Sequence, residues 1–185
     1  MYHIKQDQRS MRSAETIYNA IVRLINRKPF DSIKVSEVVS EAQIARGTFY
    51  RNFDAIEDVL RWRCDLVVDE LRAYVREYRH TKQLDYRMPV LKPVLRFFYV
   101  DSSLIELLNA AERIDIFQSV LQKKIETVTL MQNEFDIPAE YHAYISIIRS
   151  AAAVQILAHW VQNGKREAPD ALADGLSMLA GQLSR

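Results

Sequence analysis

Glycine, proline and cysteine are scarce in this sequence. Four glycines and five prolines among 185 residues leave little material for flexible linkers or turn-rich β architecture and favour long helices. A single cysteine, Cys64, excludes an intramolecular disulfide framework and fits a reducing compartment. No secretory pattern occupies Met1 to Ser10, and no apolar run of about 18 residues is apparent. A cytoplasmic protein is therefore expected. Patterns that carry chemistry are missing too. The glycines stand apart at Gly47, Gly164, Gly175 and Gly181, so no glycine-rich phosphate loop is present. No serine sits in a Gly-x-Ser-x-Gly elbow. The histidines His3, His80, His142 and His159 show no metal-ligand spacing backed by an acid. These absences point away from an enzyme and from a bound metal or cofactor.

What is present is helical periodicity, with 49% of the residues apolar, enough to bury a substantial core. The organising stretch is Ile33 to Leu60. Val35, Val38, Val39 and Ala42 place an apolar stripe on one face of a short helix. Ile33 and Val38 can form a hydrophobic staple, with Glu37 at the acidic third position. A second helix fits between Arg46 and Asn52. At about two turns it is too short to persist alone, so Ile44, Phe49 and Phe53 must pack it down. Arg46, Gly47, Thr48, Tyr50 and Arg51 are then left facing outward. That face holds two cations and two hydroxyls and no acid, a composition suited to a DNA major groove. Charge is distributed to match. Met1 to Phe53 holds nine Lys/Arg against five Asp/Glu, whereas the remainder holds sixteen against nineteen. A basic N-terminal part on a mildly acidic body fits DNA binding.

The run Ala42-Gln43-Ile44-Ala45-Arg46-Gly47-Thr48-Phe49-Tyr50-Arg51-Asn52-Phe53 resembles the helix-turn-helix of TetR-type transcriptional regulators. The spacing back to Pro29-Phe30 and on to Glu57-Asp58 fits as well, and the resemblance extends from about Ser13 to Leu60. Some positions depart from the family pattern. Lys34 stands where a Ser or Thr cap is usual, Gln43 replaces the turn Gly, Ala45 replaces a cap Ser, and Ile56 replaces a common Lys. Lysine cannot accept the helix-start N–H bonds, so weaker capping is expected at Lys34. Gln43 either reads a base edge or caps the turn.

Elsewhere the chain is expected to be α throughout, with about nine helices. Met1 to Arg9 lacks periodicity and is expected to be a frayed, solvated lead-in, with Lys5 and Arg9 reaching a phosphate or the minor groove as the alternative. Helices are expected from Ser10 to Asn26, from Asp54 to about Arg79, and over Val94–Val100, Leu104–Ala111 and Ile114–Asn133. Two more follow, from Pro138 to Asn163 with Gly164 beyond its end, and from Pro169 to Leu183. The charged stretch between Arg79 and Pro93 is the main break. Two domains are expected, a DNA-binding one over 1–54 and a regulatory and dimerisation one over 55–185. Tyr144, Ile145, Ile148, Ala151, Ala152, Gln155, Ile156, His159 and Trp160 make the penultimate helix apolar around much of its circumference. Leu172, Leu176, Leu179 and Leu183 stripe the last one. Two such helices per subunit can close a four-helix bundle across a two-fold axis, with a monomer core as the alternative. Phe97, Phe98, Tyr99, Phe117 and Tyr144 either line a ligand pocket or are plain core.

The resemblance implies a homodimeric regulator acting on double-stranded DNA, most simply a repressor released from a palindromic operator by a small-molecule effector. Arg46 is the leading base reader, with Thr48 second and Ser36 and Gln43 further candidates. Tyr50, Arg51 and Lys34 are assigned to phosphates. Activation of transcription through a ligand or protein partner, a DNA-bound role without an effector, and an interaction module that has lost DNA binding are the alternatives.

Overall fold

The computed structural model describes residues 1–4, 7–82, 91–131 and 138–183. Among them are α1 (Gln8–Ile25), α2 (Val35–Glu41), α3 (Arg46–Asn52), α4 (Ile56–Lys82), α5 (Leu91–Val100), α6 (Ser103–Ala110), α7 (Ile114–Met131), α8 (His142–Gln162) and α9 (Pro169–Leu183). Short 3-10 turns at Phe30–Ser32 and Ala139–Tyr141 join them. The fold is all-α. Pro138 does not open α8 directly, because the 3-10 turn intervenes. Lys5 and most of the charged break after α4 lie outside the described residues.

Helices α1 to α3 pack around the start of α4. Ala14, Ile17 and Ile21 of α1 meet Val38, Phe49, Phe53, Val59 and Leu60 in a common core, all fully buried. Truncating Phe49 or Phe53 to alanine is expected to cost about 3–5 kcal/mol. Ile33 and Val38 are both buried at the entry to α2, as a hydrophobic staple requires.

Helix α4, at 27 residues, extends about 40 Å. Arg63 in its first half pairs with Glu15 and lies over the Tyr18 ring of α1, and further contacts join α4 to α5 and α7. Helix α8 lies against α6 and α7, and α9 against α5. Arg96 Nε donates to Asp170 Oδ1 at 2.7 Å, and Lys92 Nζ pairs with Asp174 Oδ1 at 2.8 Å, tying α5 to α9. Trp160 is 2% exposed and its indole N–H donates to the Glu167 carbonyl at 3.1 Å.

Three helices end in the same backbone closure, in which a residue just past the cap turns left-handed. After α8 it is Gly164, at φ +74°. Its N–H donates to Val161 O and the next N–H, from Lys165, to Trp160 O, the Schellman pattern. After α2 and α6 the left-handed residues are Gln43 and Glu112, both at φ +54°, with the same pair of hydrogen bonds.

Two sequence expectations change, and one left open is partly decided. Residues 1–4 are not a solvated tail. Tyr2 forms an antiparallel bridge with Phe53, and α1 begins earlier than Ser10 because Asp7 caps it, Oδ1 accepting from Ser10 N–H at 2.8 Å. Within the aromatic set, Phe98 and Phe117 take the plain-core alternative. Phe98 and Phe117 meet edge to face in the core at 5.8 Å, whereas Tyr99 and Tyr144 are 52% and 65% exposed. Finally, Ala143–Gln162 within α8 is long and apolar enough to cross a membrane by length and composition. Ser146, Ser150, Val154, Leu157, Trp160 and Val161 on one side of it are buried in the protein.

Candidate nucleic-acid interface

The candidate interface is built from α2, its closing turn, and α3. Lys34 precedes α2 in an extended conformation and its side chain makes no cap hydrogen bond, since an ammonium has no lone pair to offer. Glu37 compensates from the other side. Its carboxylate accepts from the Lys34 N–H at 2.9 Å and from Lys28 Nζ at 2.6 Å. Lys28 first, then the backbone N–H, holds the Glu37 carboxyl below the usual carboxylate range. Ser36 and the Lys34 side chain are exposed one turn away.

The turn from α2 to α3 depends on Gln43. A left-handed residue costs a non-glycine side chain about 1–2 kcal/mol, so Gln43 carries the cost that glycine usually avoids here. Its side chain is exposed and is free to meet an external surface. Ala45 precedes α3 without a side-chain cap, and Thr48 N–H bonds back to its carbonyl at 2.8 Å.

Helix α3 buries Phe49 and Asn52 and leaves Arg46, Gly47, Tyr50 and Arg51 exposed, with Thr48 half-buried. The exposed groups pair among themselves. Arg46 Nη2 donates to Tyr50 Oη at 3.3 Å, and Arg51 Nη2 to Thr48 Oγ1 at 3.2 Å. A Cβ added at Gly47 would meet nothing within 4 Å, so nothing inside the protein requires glycine there.

Electrostatics sharpen the picture that net charge only suggested. Within residues 1–53 the acids are already engaged. Asp7 caps α1, Glu15 pairs with Arg63, Asp31 with Arg113, Glu37 with Lys28, and Glu41 with Arg23 and Arg27. Among the described residues no ion pair engages Arg9, Arg12, Lys34, Arg46 or Arg51. The cations left over are therefore concentrated on α1's first turns, the start of α2, and α3. A surface of uncompensated cations attracts a polyanion.

Asn52 is a residue that sequence reasoning missed. It is 3% exposed; its Nδ2 donates to Thr48 O at 2.8 Å and its Oδ1 accepts from Ser10 Oγ at 3.1 Å. The end of α3 is thereby fixed to the start of α1. No spacing rule links Ser10 to Asn52, so only the folded chain reveals the contact.

Residues 17–61 match the family described as bacterial regulatory proteins, tetR family. The protein Lin0861 of Listeria innocua shares the fold with a TM-score of 0.77 and 17% identity, over 98% of this chain and 96% of that one. The fatty acid degradation regulator FadR from Bacillus halodurans gives a TM-score of 0.52 and 17% identity, over 95% of each chain. None of the curated proteins matches the sequence.

Proposed function

We propose that this chain, a TetR-type DNA-binding regulator, acts as a homodimeric repressor on a palindromic operator and is released by a small-molecule effector in the cytoplasm. Each subunit lays α3 in the major groove of one half-site. Arg46 reads a base edge, with Thr48, Ser36 and Gln43 as further readers. Tyr50, Arg51 and Lys34 hold phosphates, and Gly47 permits close approach.

The observation that carries this reading is the outward face of α3, where uncompensated cations and hydroxyls lie on a helix that Phe49 and Phe53 pin from behind. Base readout needs a rigid platform, and a seven-residue helix becomes one only through such packing.

We divide the chain into a DNA-binding domain, 1–54, and a regulatory and dimerisation domain, 55–185. Support for the dimer comes from the apolar side chains that α8 and α9 expose. Tyr144 and Ile148 are 65% and 62% exposed, and Met178 and Leu179 are 63% and 50% exposed. Ala152, Gln155 and His159 continue the α8 stripe at helical spacing and are exposed too. The Leu183 side chain lies outside the described residues. Release by an effector fits α4, which packs on α1 near one end and on α5 and α7 beyond it, so that a shift in one region alters the other.

Selection from a random duplex library with purified protein, alongside solution mass, tests the proposal. Enrichment of a palindrome by a species of twice the chain mass is expected. A dimer that enriches no sequence at low salt would overturn the DNA reading, and a promoter fusion that loses expression without the gene would overturn repression.

A further inference from the structure

The first four residues do more than cover the core. Tyr2 bridges Phe53 antiparallel, His3 N–H donates to Asn52 O at 2.8 Å, and Asp54 N–H donates to Met1 O at 3.1 Å. Asn52 and Phe53 are the last residue of α3 and its C-cap. A two-turn helix leaves its final carbonyls without helical partners, and here a strand-like segment supplies one of the missing donors.

That segment is itself anchored from the far side. Tyr2 Oη donates to Asp65 Oδ2 on α4 at 2.8 Å. Burial first, and then this hydrogen bond, push the Tyr2 phenol up to about 12, so it remains a donor at neutral pH. Asp65 in turn faces α7. Lys124 Nζ lies 3.4 Å from Asp65 Oδ1, donates to the Asp65 carbonyl at 3.1 Å, and pairs with Asp69 Oδ1 at 2.6 Å. Lys124 and Asp65 side chains are only 20% and 26% exposed, which limits solvent screening of the pair.

We propose that Tyr2, Asp65 and Lys124 are positioning residues for DNA binding, through which α7 sets the C-terminal end of α3 by way of residues 1–4. The relay runs from Lys124 to Asp65, from Asp65 to the Tyr2 hydroxyl, and from the residues flanking Tyr2 to the end of α3, where His3 N–H donates to Asn52 O and Met1 O accepts from Asp54 N–H. It rests on the reading that α3 contacts DNA. It also gives the regulatory helices a route to α3 that bypasses the packed core of α1.

Amide hydrogen exchange on the full chain tests the relay without DNA. The proteins compared are the wild type, Tyr2→Phe, Lys124→Met and the double variant. Both substitutions keep the bulk of the side chain and remove only the polar end. Losing one hydrogen bond or charge contact corresponds to about a three- to tenfold change in local opening. The relay requires that increase at His3, Phe53 and Asp54 in each single variant, no further increase in the double variant, and unchanged exchange at Ile17–Leu24. It is overturned if Lys124→Met leaves Phe53 and Asp54 at wild-type rates, if the two substitutions multiply, or if α1 exchanges faster by the same factor. Affinity for the duplex recovered from a random library by the wild type is then measured for each variant. Both single variants are expected to lose affinity by a similar factor, and undiminished binding by either overturns the positioning role. If the wild type recovers no duplex, the DNA reading fails and positioning for DNA fails with it, while the exchange data still decide whether α7 is linked to α3.

Discussion

The guanidinium of Arg46 lies over the ring of Tyr50 one turn further along α3, with its central carbon 5.5 Å from the ring centroid. An exposed pair of this kind is worth about 0.5–1 kcal/mol. That is enough to keep both side chains extended from the helix, and too little to resist exchange for a guanine edge or a phosphate. Helix α3 is thus arranged to present its polar groups before any partner arrives.

Arg46→Ala is expected to relax sequence preference, with a loss of about 1–3 kcal/mol on the selected duplex and little change on a scrambled one. Arg51→Ala is expected to weaken both duplexes alike and to flatten the dependence of affinity on salt. Titrations at several salt concentrations distinguish the two. Equal losses on selected and scrambled DNA for Arg46→Ala would rule out its reading role.

Gly47 offers a separation of stability from binding. Open space surrounds its Cα on the protein side, so alanine fits and should stabilise the helix by about 0.5–1 kcal/mol. The added methyl projects from the face assigned to DNA. Gly47→Ala should therefore raise the melting temperature and lower DNA affinity together. A gain in stability with undiminished affinity would show that the backbone at this position does not approach DNA closely.

At Gln43 the backbone and the side chain make opposite demands. Its φ of +54° favours glycine, so Gln43→Gly should stabilise the protein by about 1 kcal/mol. The same change at Glu112, also at φ +54°, should give a similar gain with no effect on DNA. Thermal melts test both. If Gln43→Gly also relaxes sequence preference, the glutamine is retained for readout; if affinity is unaltered, its role is confined to the turn.

Much of this arrangement was legible in the sequence, for reasons that differ from one element to the next. The limits of α3, Arg46–Asn52, followed from local rules, since Phe49 and Phe53 must face inward and Arg46, Tyr50 and Arg51 then face out. The left-handed Gln43 was visible only through the resemblance, as a substitution at a glycine position. Residues 1–4 were misread because their bonds are long-range. Tyr2 reaches Asp65 and His3 reaches Asn52, and such partners leave no periodic trace. The same holds for Ser10 with Asn52. The exposure of Ile148 and Leu179 could not be told from burial, because a core stripe and an interface stripe have the same periodicity.

Acid should unfold the protein by releasing several carboxylates from their partners. Glu37, Glu41, Asp54, Asp101 and Asp170 are all held below the usual range, chiefly by hydrogen bonds from Lys28, Arg23, the N-terminal ammonium, the Ser103 backbone and Arg96 respectively. Each therefore binds a proton more readily in the unfolded chain. Their contribution is present above the unfolded values, about 4, and is lost as pH falls through the lower folded ones. Denaturant melts from pH 7 downward should show stability falling below about pH 4.5. Glu41→Gln should make that fall shallower, and an unchanged profile would remove Glu41 from the explanation.

The sharpest prediction about assembly concerns Ile148. It sits on α8 one turn beyond Tyr144, and both project from the protein rather than into it. In a monomer, Ile148→Glu replaces an exposed apolar side chain with a charged one and should leave stability within about 0.5 kcal/mol. In a dimer closed by α8 and α9, the two-fold axis brings the same surface patch of each subunit into the interface. Every substitution is then introduced twice, and burying an unpaired carboxylate costs several kcal/mol per ion. Solution mass should fall from the dimer to the monomer at micromolar concentration, and operator affinity should fall with it because the half-sites are no longer bound together. Leu179→Glu on α9 should act in the same way. A variant that stays dimeric and binds normally would place the interface away from these helices, and the exposed stripe on α8 would then need another partner.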